Sequence, residues 1–363
     1  MNLEQLENAK ITRPLAGHSL RFDGKGWAND PHPGVIYVGT LANLNSLYPA
    51  GTKGRLAEVT DNIRGIWKDT GTAWVSVTGY ADVRDFAAGG TGTFAAQWTG
   101  WESAVAALPD YTHVHFPQGD YTQTIAIAMK TGWTISGDGY RSSFVWSNHT
   151  GHGFTSLNTV NSQTPVHRTI RDIYIQNNNA SNVSAAFVDV GGSFLILERV
   201  YIRGFKYNIL LDQSSHVRIL SNVLEVPLTA NIWIVNGADF SPTAAEGYTN
   251  VITIQNNQFN NTASVGTQIL DDGGGNHVLI NNNFNAGANG VRASGVIGLT
   301  MIGNEFEGHT ATPILLTHTK NSGTYIGPTT AFTIASNTLT DLGLSHLIEL
   351  AGASNGSIEQ NFF

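Results

Sequence analysis

Apolar and polar positions alternate in short runs along this chain. In its second half they settle into one repeated phrase: a large aliphatic residue, two spacers, Asn, one spacer, then a large apolar residue. The phrase is spelled Ile219-x-x-Asn222-x-Leu224, Ile254-x-x-Asn257-x-Phe259 and Leu279-x-x-Asn282-x-Phe284. It returns as Met301-x-x-Asn304-x-Phe306, Ile334-x-x-Asn337-x-Leu339 and Ile358-x-x-Asn361-x-Phe363, with looser copies at Ile175-x-x-Asn178-x-Ala180 and Leu197-x-x-Val200-x-Ile202. Positions 178, 200 and 222 are spaced 22 and 22, and the later steps are 35, 25, 22, 33 and 24. Such self-similarity marks a solenoid; the period is too short for helical repeats of about 33–47 residues, and the leucine-rich consensus is absent. The pattern predicts an all-β parallel β-helix over residues 111–363, each turn supplying several short strands stacked about 4.8 Å from the next turn. The six asparagines are expected at one corner as an amide ladder, where Asn and Gly tolerate left-handed backbone. The longest steps read as turns carrying an inserted surface loop of roughly ten residues.

The front of the chain reads differently. Residues 1–34 form an arm rich in turn formers, among them Asn29-Asp30-Pro31-His32-Pro33-Gly34. Residues 35–78 give short alternating runs with a hairpin-type turn at Asp69-Thr70-Gly71-Thr72, a small antiparallel β module. Residues 79–110 form a linker and one helix over Trp101–Leu108, with Thr99 as the expected N-cap, Glu102 three residues later and Pro109-Asp110 as the stop. A helix there covers the open first rung, which is otherwise an exposed sheet edge.

Composition narrows the function. With 40 Gly, 13% charged and 41% apolar residues, the chain folds without being helix-rich. No apolar run reaches 18 residues, and the start, MNLEQLENAK, is polar and acidic where a secretory signal is basic and then apolar. The absence of Cys excludes disulfides and thiolate chemistry. A net charge of −8 argues against a nucleic-acid partner. A neutral polysaccharide is not repelled, whereas an anionic one needs a local basic patch. No acid/His cluster has metal-site spacing, and no cofactor is expected.

The segment Ala81-Asp82-Val83-Arg84-Asp85-Phe86, the helix near 101–108 and Val114-His115-Phe116-Pro117-Gln118-Gly119-Asp120-Tyr121 together resemble the opening of pectate-lyase-superfamily right-handed parallel β-helices. Fused behind a small β module with Gly-Arg-Leu-Ala-Glu-Val and Gly-Ile-Trp-Lys-Asp-Thr-Gly phrases, the arrangement is similar to bacteriophage tailspikes. The resemblance implies a virion-borne homotrimer, held to other tail proteins by its N-terminal region, that binds and usually cleaves a bacterial surface polysaccharide. Tailspikes usually continue into a further domain, whereas this chain stops mid-phrase at Phe363, so truncation or an unusual trimer cap is expected.

Candidate chemistry follows from aligning the second strand of each turn: Phe187-Val188-Asp189, Leu210-Leu211-Asp212, Ile234-Val235-Asn236, Ile269-Leu270-Asp271 and Leu347-Ile348-Glu349. On this alignment Asp189 and Asp212 stand on adjacent turns, and Asp212 and Asp271 two turns apart. Carboxyls about 5–5.5 Å apart suit a retaining glycosidase and about 6.5–9.5 Å an inverting one. The plainer reading is that an Asp after a strand is a favoured turn residue. Tyr201, Tyr207 and Trp233 are expected as sugar platforms around the acids and Arg203 as a further substrate-binding residue; the plainer reading of Arg203 with Glu225 is an exposed ion pair between rungs. Gly151-His152-Gly153 and Asp271-Asp272 resemble polygalacturonase signatures, but in reversed order. Three functions are compatible with this reading: a hydrolytic tailspike depolymerase, a non-catalytic receptor-binding tail fibre, and a polysaccharide lyase.

Overall fold

The computed structural model describes residues 97–363 apart from 147–150, 158–165, 178–184, 236–248, 262–265, 320–325 and 341–342. Upstream it describes 19–22, 27–30, 36–38, 41–51, 56–59, 65–69, 74–76, 80–83 and 88–89. The chain divides into two compact units, Met1–Ala87 with Thr112–His115, and Ala88–Tyr111 with Phe116–Phe363. No described helix is long and apolar enough to cross a membrane.

In the first unit, Ser19–Phe22 and Trp27–Asp30 pair as an antiparallel hairpin, so Asn29 and Asp30 lie in a strand and not in the expected turn. Leu56–Val59, Gly65–Asp69 and Trp74–Ser76 are antiparallel neighbours. Ile36–Val38, however, runs parallel to Leu56–Val59. The helix Leu41–Leu47 lies between them, and parallel neighbours require such a crossover. Leu41, Leu44 and Leu47 recur every third residue, a helical spacing, and Leu44 is buried.

The second unit opens with the antiparallel strands Ala88–Gly89 and Gln97–Thr99, followed by the helix Glu102–Ala107. Thr99 does not cap it: that residue ends the strand Gln97–Thr99, and the N-cap position falls to Trp101 with no side-chain bond. Glu102 turns instead to the first coil, accepting hydrogen bonds from Thr124 N at 2.9 Å and Thr124 Oγ1 at 3.0 Å. The buried Trp101 ring packs edge-on against Phe116, Tyr121 and Phe144 at 5.2, 6.2 and 5.7 Å between centroids.

Beyond it the chain winds into a right-handed β-helix of three parallel sheets. Sheet I stacks strands from Thr134–Gly137 through Leu195–Glu198 and Gly274–Ile280 to Ser357–Glu359. Sheet II includes Tyr174–Asn177, Tyr201–Arg203, Val223–Glu225, Gln258–Asn260, Asn283–Gly287 and Glu305–His309. Sheet III includes Phe154–Leu157, Ala185–Val190, Tyr207–Asp212, Ala230–Val235, Thr267–Asp271 and Asn289–Ser294. Alternation sends one residue in two inward. Leu197, Ile219, Ile254, Leu279, Met301 and Ile334 form one buried column. In sheet II the Phe259, Phe284 and Phe306 rings stack at 4.7 Å with interplanar angles of 6° and 11°.

The repeated asparagines do form one ladder. Asn257, Asn282, Asn304, Asn337 and Asn361 each accept, at Oδ1, the main-chain N–H and the side-chain amide of the asparagine one rung before, at 2.9–3.0 Å. Each Nδ2 also donates to a sheet I carbonyl, as Asn282 does to Ile254 O at 2.9 Å. The residue before the ladder takes positive φ at Arg199, Ser221, Asn256, Asn281, Gly303, Ser336 and Gln360. Satisfied on both sides, these amides escape the penalty of about 1–3 kcal/mol for each buried polar group left unpaired. The loose copy Ile175-x-x-Asn178 is corrected: Ile175 pairs with Ile202 in sheet II, so the phrase there reads Ile170, Ile173, Ile175. Asn178 lies outside the described residues.

This corner also sets the register. Two residues separate sheet I from sheet II at Glu198–Tyr201, Leu220–Val223, Gln255–Gln258, Ile280–Asn283, Ile302–Glu305 and Ala335–Thr338. Variable lengths fall at the edges of sheet III instead, as in the steps from Leu157 to Arg168, Val235 to Asn250 and Thr317 to Thr329.

Candidate functional site

Because the turns into sheet III vary, its register differs from the expected alignment. Asp189 stands opposite Leu211, and Asp212 opposite Val190 and Val235. Asp271 stands opposite Ile234. Asp189, Leu211, Ile234 and Asp271 thus share one inward column, whereas Asp212 belongs to the outward one. Asp189 and Asp212 do not face one another, which corrects the expected adjacent pair. Asn236 lies outside the described residues.

The inward acids meet basic side chains from sheet I. Asp189, 1% exposed, lies 3.7 Å from Arg168 Nη1. Burial pushes its carboxyl up, against the hydroxyls of Ser156 and Ser214 and the charge of Arg168. Burial likewise pulls the Arg168 guanidinium down. Asp271, also 1% exposed, accepts from His277 Nδ1 at 2.7 Å, and His277 is fully buried in the column of Ile252 and Leu299. Burial alone would lower His277; the charge and hydrogen bond of Asp271 outweigh it and leave the imidazole above its ordinary value. Both pairs span the same corner inside the coil, where other rungs place aliphatic side chains.

Asp212 is fully buried on the outward side of sheet III. Asp272, one residue past Asp271 as Val235 is one past Ile234, accepts from Trp233 Nε1 at 3.0 Å. Tyr207 and Trp233 stack on one another at 4.5 Å and 28°. They join Val188, Val190, Leu210, Val235 and Leu270 in an apolar cluster outside the lumen. Burial, then the charge of Asp272, pushes the Tyr207 hydroxyl up to about 12. Tyr201 belongs to a different sheet, so the expected platform of Tyr201, Tyr207 and Trp233 separates into two places.

The outer face of sheet II is open and differently furnished. Its two outward columns read Tyr174, Tyr201, Val223, Gln258, Asn283, Glu305 and Gln176, Arg203, Glu225, Asn260, Asn285, Glu307. Tyr201 meets Tyr174 edge-on at 4.8 Å and 78°, and Tyr140 at 5.4 Å and 82°. Tyr140 is 62% exposed. The Tyr201 hydroxyl donates to Glu225 Oε2, and Asn260 Nδ2 donates to Glu225 Oε1 at 3.0 Å. Burial, reinforced by this bond, holds the Tyr201 hydroxyl above its ordinary value. Arg203 and Glu225 are register neighbours as expected, yet among the described residues no carboxylate lies within 4.0 Å of the Arg203 guanidinium. Tyr140, Tyr174 and Asn260 escaped the sequence reading. Tyr174 and Gln176 flank Ile175 as Tyr201 and Arg203 flank Ile202, a signal hidden while Ile175 was read one strand too early.

His152, from the Gly-His-Gly segment, accepts at Nδ1 from Ala185 N at 3.1 Å, a tie from the turn before Phe154–Leu157 to the strand Ala185–Val190. Among the described residues no group of three or more acids and histidines could hold a metal ion.

No family model matches this chain, and no curated protein matches it either. Solved structures do. The surface protein and adhesin PfbA of Streptococcus pneumoniae superposes with a TM-score of 0.58 at 16% identity, over 78% of this chain and 85% of that one. The ORF18 structure from Geobacillus virus E2 gives 0.50 at 13% identity, over 90% and 73%. DFA-IIIase from Arthrobacter chlorophenolicus A6 gives 0.54 at 12% identity, over 78% and 79%. At these identities the likeness is one of fold. Three parallel sheets, a tight amide-ladder corner and these superpositions agree that this chain has the pectate-lyase-like fold, a right-handed parallel β-helix.

Proposed function

We propose that this chain is the glycan-engaging β-helix of a bacteriophage tailspike, binding a bacterial surface polysaccharide (capsule, exopolysaccharide or lipopolysaccharide O-antigen) along the outer face of sheet II. One observation carries the reading. Sheet II sets tyrosine rings beside unburied hydrogen-bonding groups on consecutive rungs, namely Tyr174, Tyr201, Arg203, Glu225 and Asn260. An aromatic ring offers an apolar face to a pyranose, and flanking polar groups meet its hydroxyls. The phage structure among the fold neighbours supports the virion setting. The protein then acts outside the host cell, attached to other tail proteins by its N-terminal region and assembled as a parallel homotrimer. Ile297 and Ile302, exposed on sheet I, support a subunit contact there. The test is binding to purified surface polysaccharides from differently encapsulated strains. A Tyr174→Ala/Tyr201→Ala protein should lose binding while remaining folded; retention of full binding would overturn the reading, and a stable monomer by light scattering would remove the trimer.

Hydrolysis of the bound glycan is the second reading, favoured by one arrangement. Asp212 and Asp272, both buried, sit on the outward side of sheet III two rungs apart, a backbone step of about 9.6 Å just beyond the inverting range, so cleavage there requires the glycan to extend from sheet II onto sheet III. Reducing-end release by the parent and its loss in Asp212→Asn would support cleavage. Asp189→Asn and Asp271→Asn, whose side chains point into the lumen, should change stability more than turnover.

A further inference from the structure

The sheet II face holds a cation whose nearest acid is already engaged. Glu225 is the register neighbour of Arg203, but both its oxygens are taken by neutral donors, Oε2 by the Tyr201 hydroxyl and Oε1 by Asn260 Nδ2. On the other side the register neighbour of Arg203 is Gln176, whose Oε1 accepts from the Tyr174 hydroxyl at 2.8 Å. The guanidinium is exposed and hydrogen-bonded to the Tyr174 hydroxyl, and among the described residues it has no carboxylate within 4.0 Å. Farther along the sheet the outward charges are acids, Glu305 and Glu307.

We propose that the Tyr174–Tyr201–Arg203 site takes a carboxylate-bearing sugar residue, its ring against the tyrosines and its carboxylate on the Arg203 guanidinium. A planar guanidinium matches a carboxylate bidentately. A ligand carboxylate fits where the protein's own has been turned away to neutral partners, and Glu225 remains as an acceptor for the ligand's hydroxyls. The net charge of −8 disfavours a polyanion in general. That makes a single positive spot the place where an acidic repeat is tolerated, and leaves the acid-lined end of sheet II for neutral sugars of the same polymer. This rests on the proposed glycan-binding role.

The experiment is affinity electrophoresis of the full chain in gels containing polygalacturonate, polymannuronate or polysialic acid, each beside its carboxyl-reduced counterpart. The parent should bind at least one acidic polymer and bind its reduced form roughly tenfold to a hundredfold more weakly, the range for a charge-assisted contact. Arg203→Gln should remove that difference, leaving both forms bound at the weaker level and less sensitive to salt. Arg203→Lys should restore part of it. Equal binding of acidic and reduced polymers by the parent would overturn the acidic-sugar inference while sparing the glycan-binding role. Undiminished preference in Arg203→Gln would overturn the assignment of Arg203. Binding to none of the polymers, acidic or reduced, would overturn the acidic-sugar inference; the role it rests on falls only if the purified surface polysaccharides are not bound either.

Discussion

The outer faces of sheets II and III are made by the same alternation on the same coil, yet they differ in kind. Sheet II faces outward with tyrosines, amides, Arg203 and three glutamates. Sheet III faces outward with Val188, Leu210, Trp233 and Leu270, packed as a second apolar core outside the lumen. The difference lies in the turns. Sheet II is reached from sheet I by a constant two-residue corner, whereas sheet III is bordered on both sides by turns of variable length. A constant corner fixes register and leaves a flat face for a ligand. Variable turns shift register and permit additional packing, so an aromatic such as Trp233 becomes half-buried structure there, while Tyr201 becomes a surface feature.

The largest expected effect lies in the lumen. Asp271→Ala leaves His277 buried without its partner and should destabilise the fold by about 3–5 kcal/mol, read as a lowered midpoint in denaturant unfolding. Asp271→Leu combined with His277→Leu should recover most of that loss, since paired aliphatics replace buried ion pairs at little penalty. A small loss in the single variant would mean that the pair is solvated and that lumen and surface acids are alike.

The ladder comes next. Asn282→Ala strips acceptors from Asn257 N and Nδ2 and should cost about 1–3 kcal/mol for each buried group left unpaired. Truncating Asn283, whose side chain bonds Glu305 on the sheet II surface, should stay within about 0.5 kcal/mol. Comparable losses at these adjacent residues would break the distinction between corner and face.

The pH dependence is a smaller effect with a definite sign. The folded-state value of His277 lies above its unfolded value. Its contribution is therefore complete below about pH 6.5 and declines as pH rises through the raised folded value. Thermal unfolding of the parent should show a lower midpoint at alkaline than at mildly acidic pH, relative to His277→Leu. A difference independent of pH would indicate a neutral imidazole throughout.

The smallest stability effect belongs to the candidate site. Tyr201→Phe should change unfolding by about 0.5 kcal/mol or less, while weakening glycan binding through the freed Glu225. A fall in stability as large as that of Asn282→Ala would recast Tyr201 and Glu225 as a structural tie between rungs.

By itself the sequence determined the solenoid, because an inward aliphatic, a corner amide and a second inward apolar residue must recur for coils to stack, and their spacing survives as a written period. It also determined the sheet II face near the ladder: with two residues always at the corner, Arg203 and Glu225 could be placed side by side by counting. Counting failed where turns vary. Residues from the asparagine to the inward sheet III position number ten to Ile232, twelve to Ile269 and nine to Val291, and a slip of one residue exchanges the two faces of a strand. Tertiary structure alone decided that Asp189 and Asp271 turn inward to Arg168 and His277 while Asp212 turns outward. Which partner a buried charge finds depends on a strand from another part of the coil, and no local pattern carries that information.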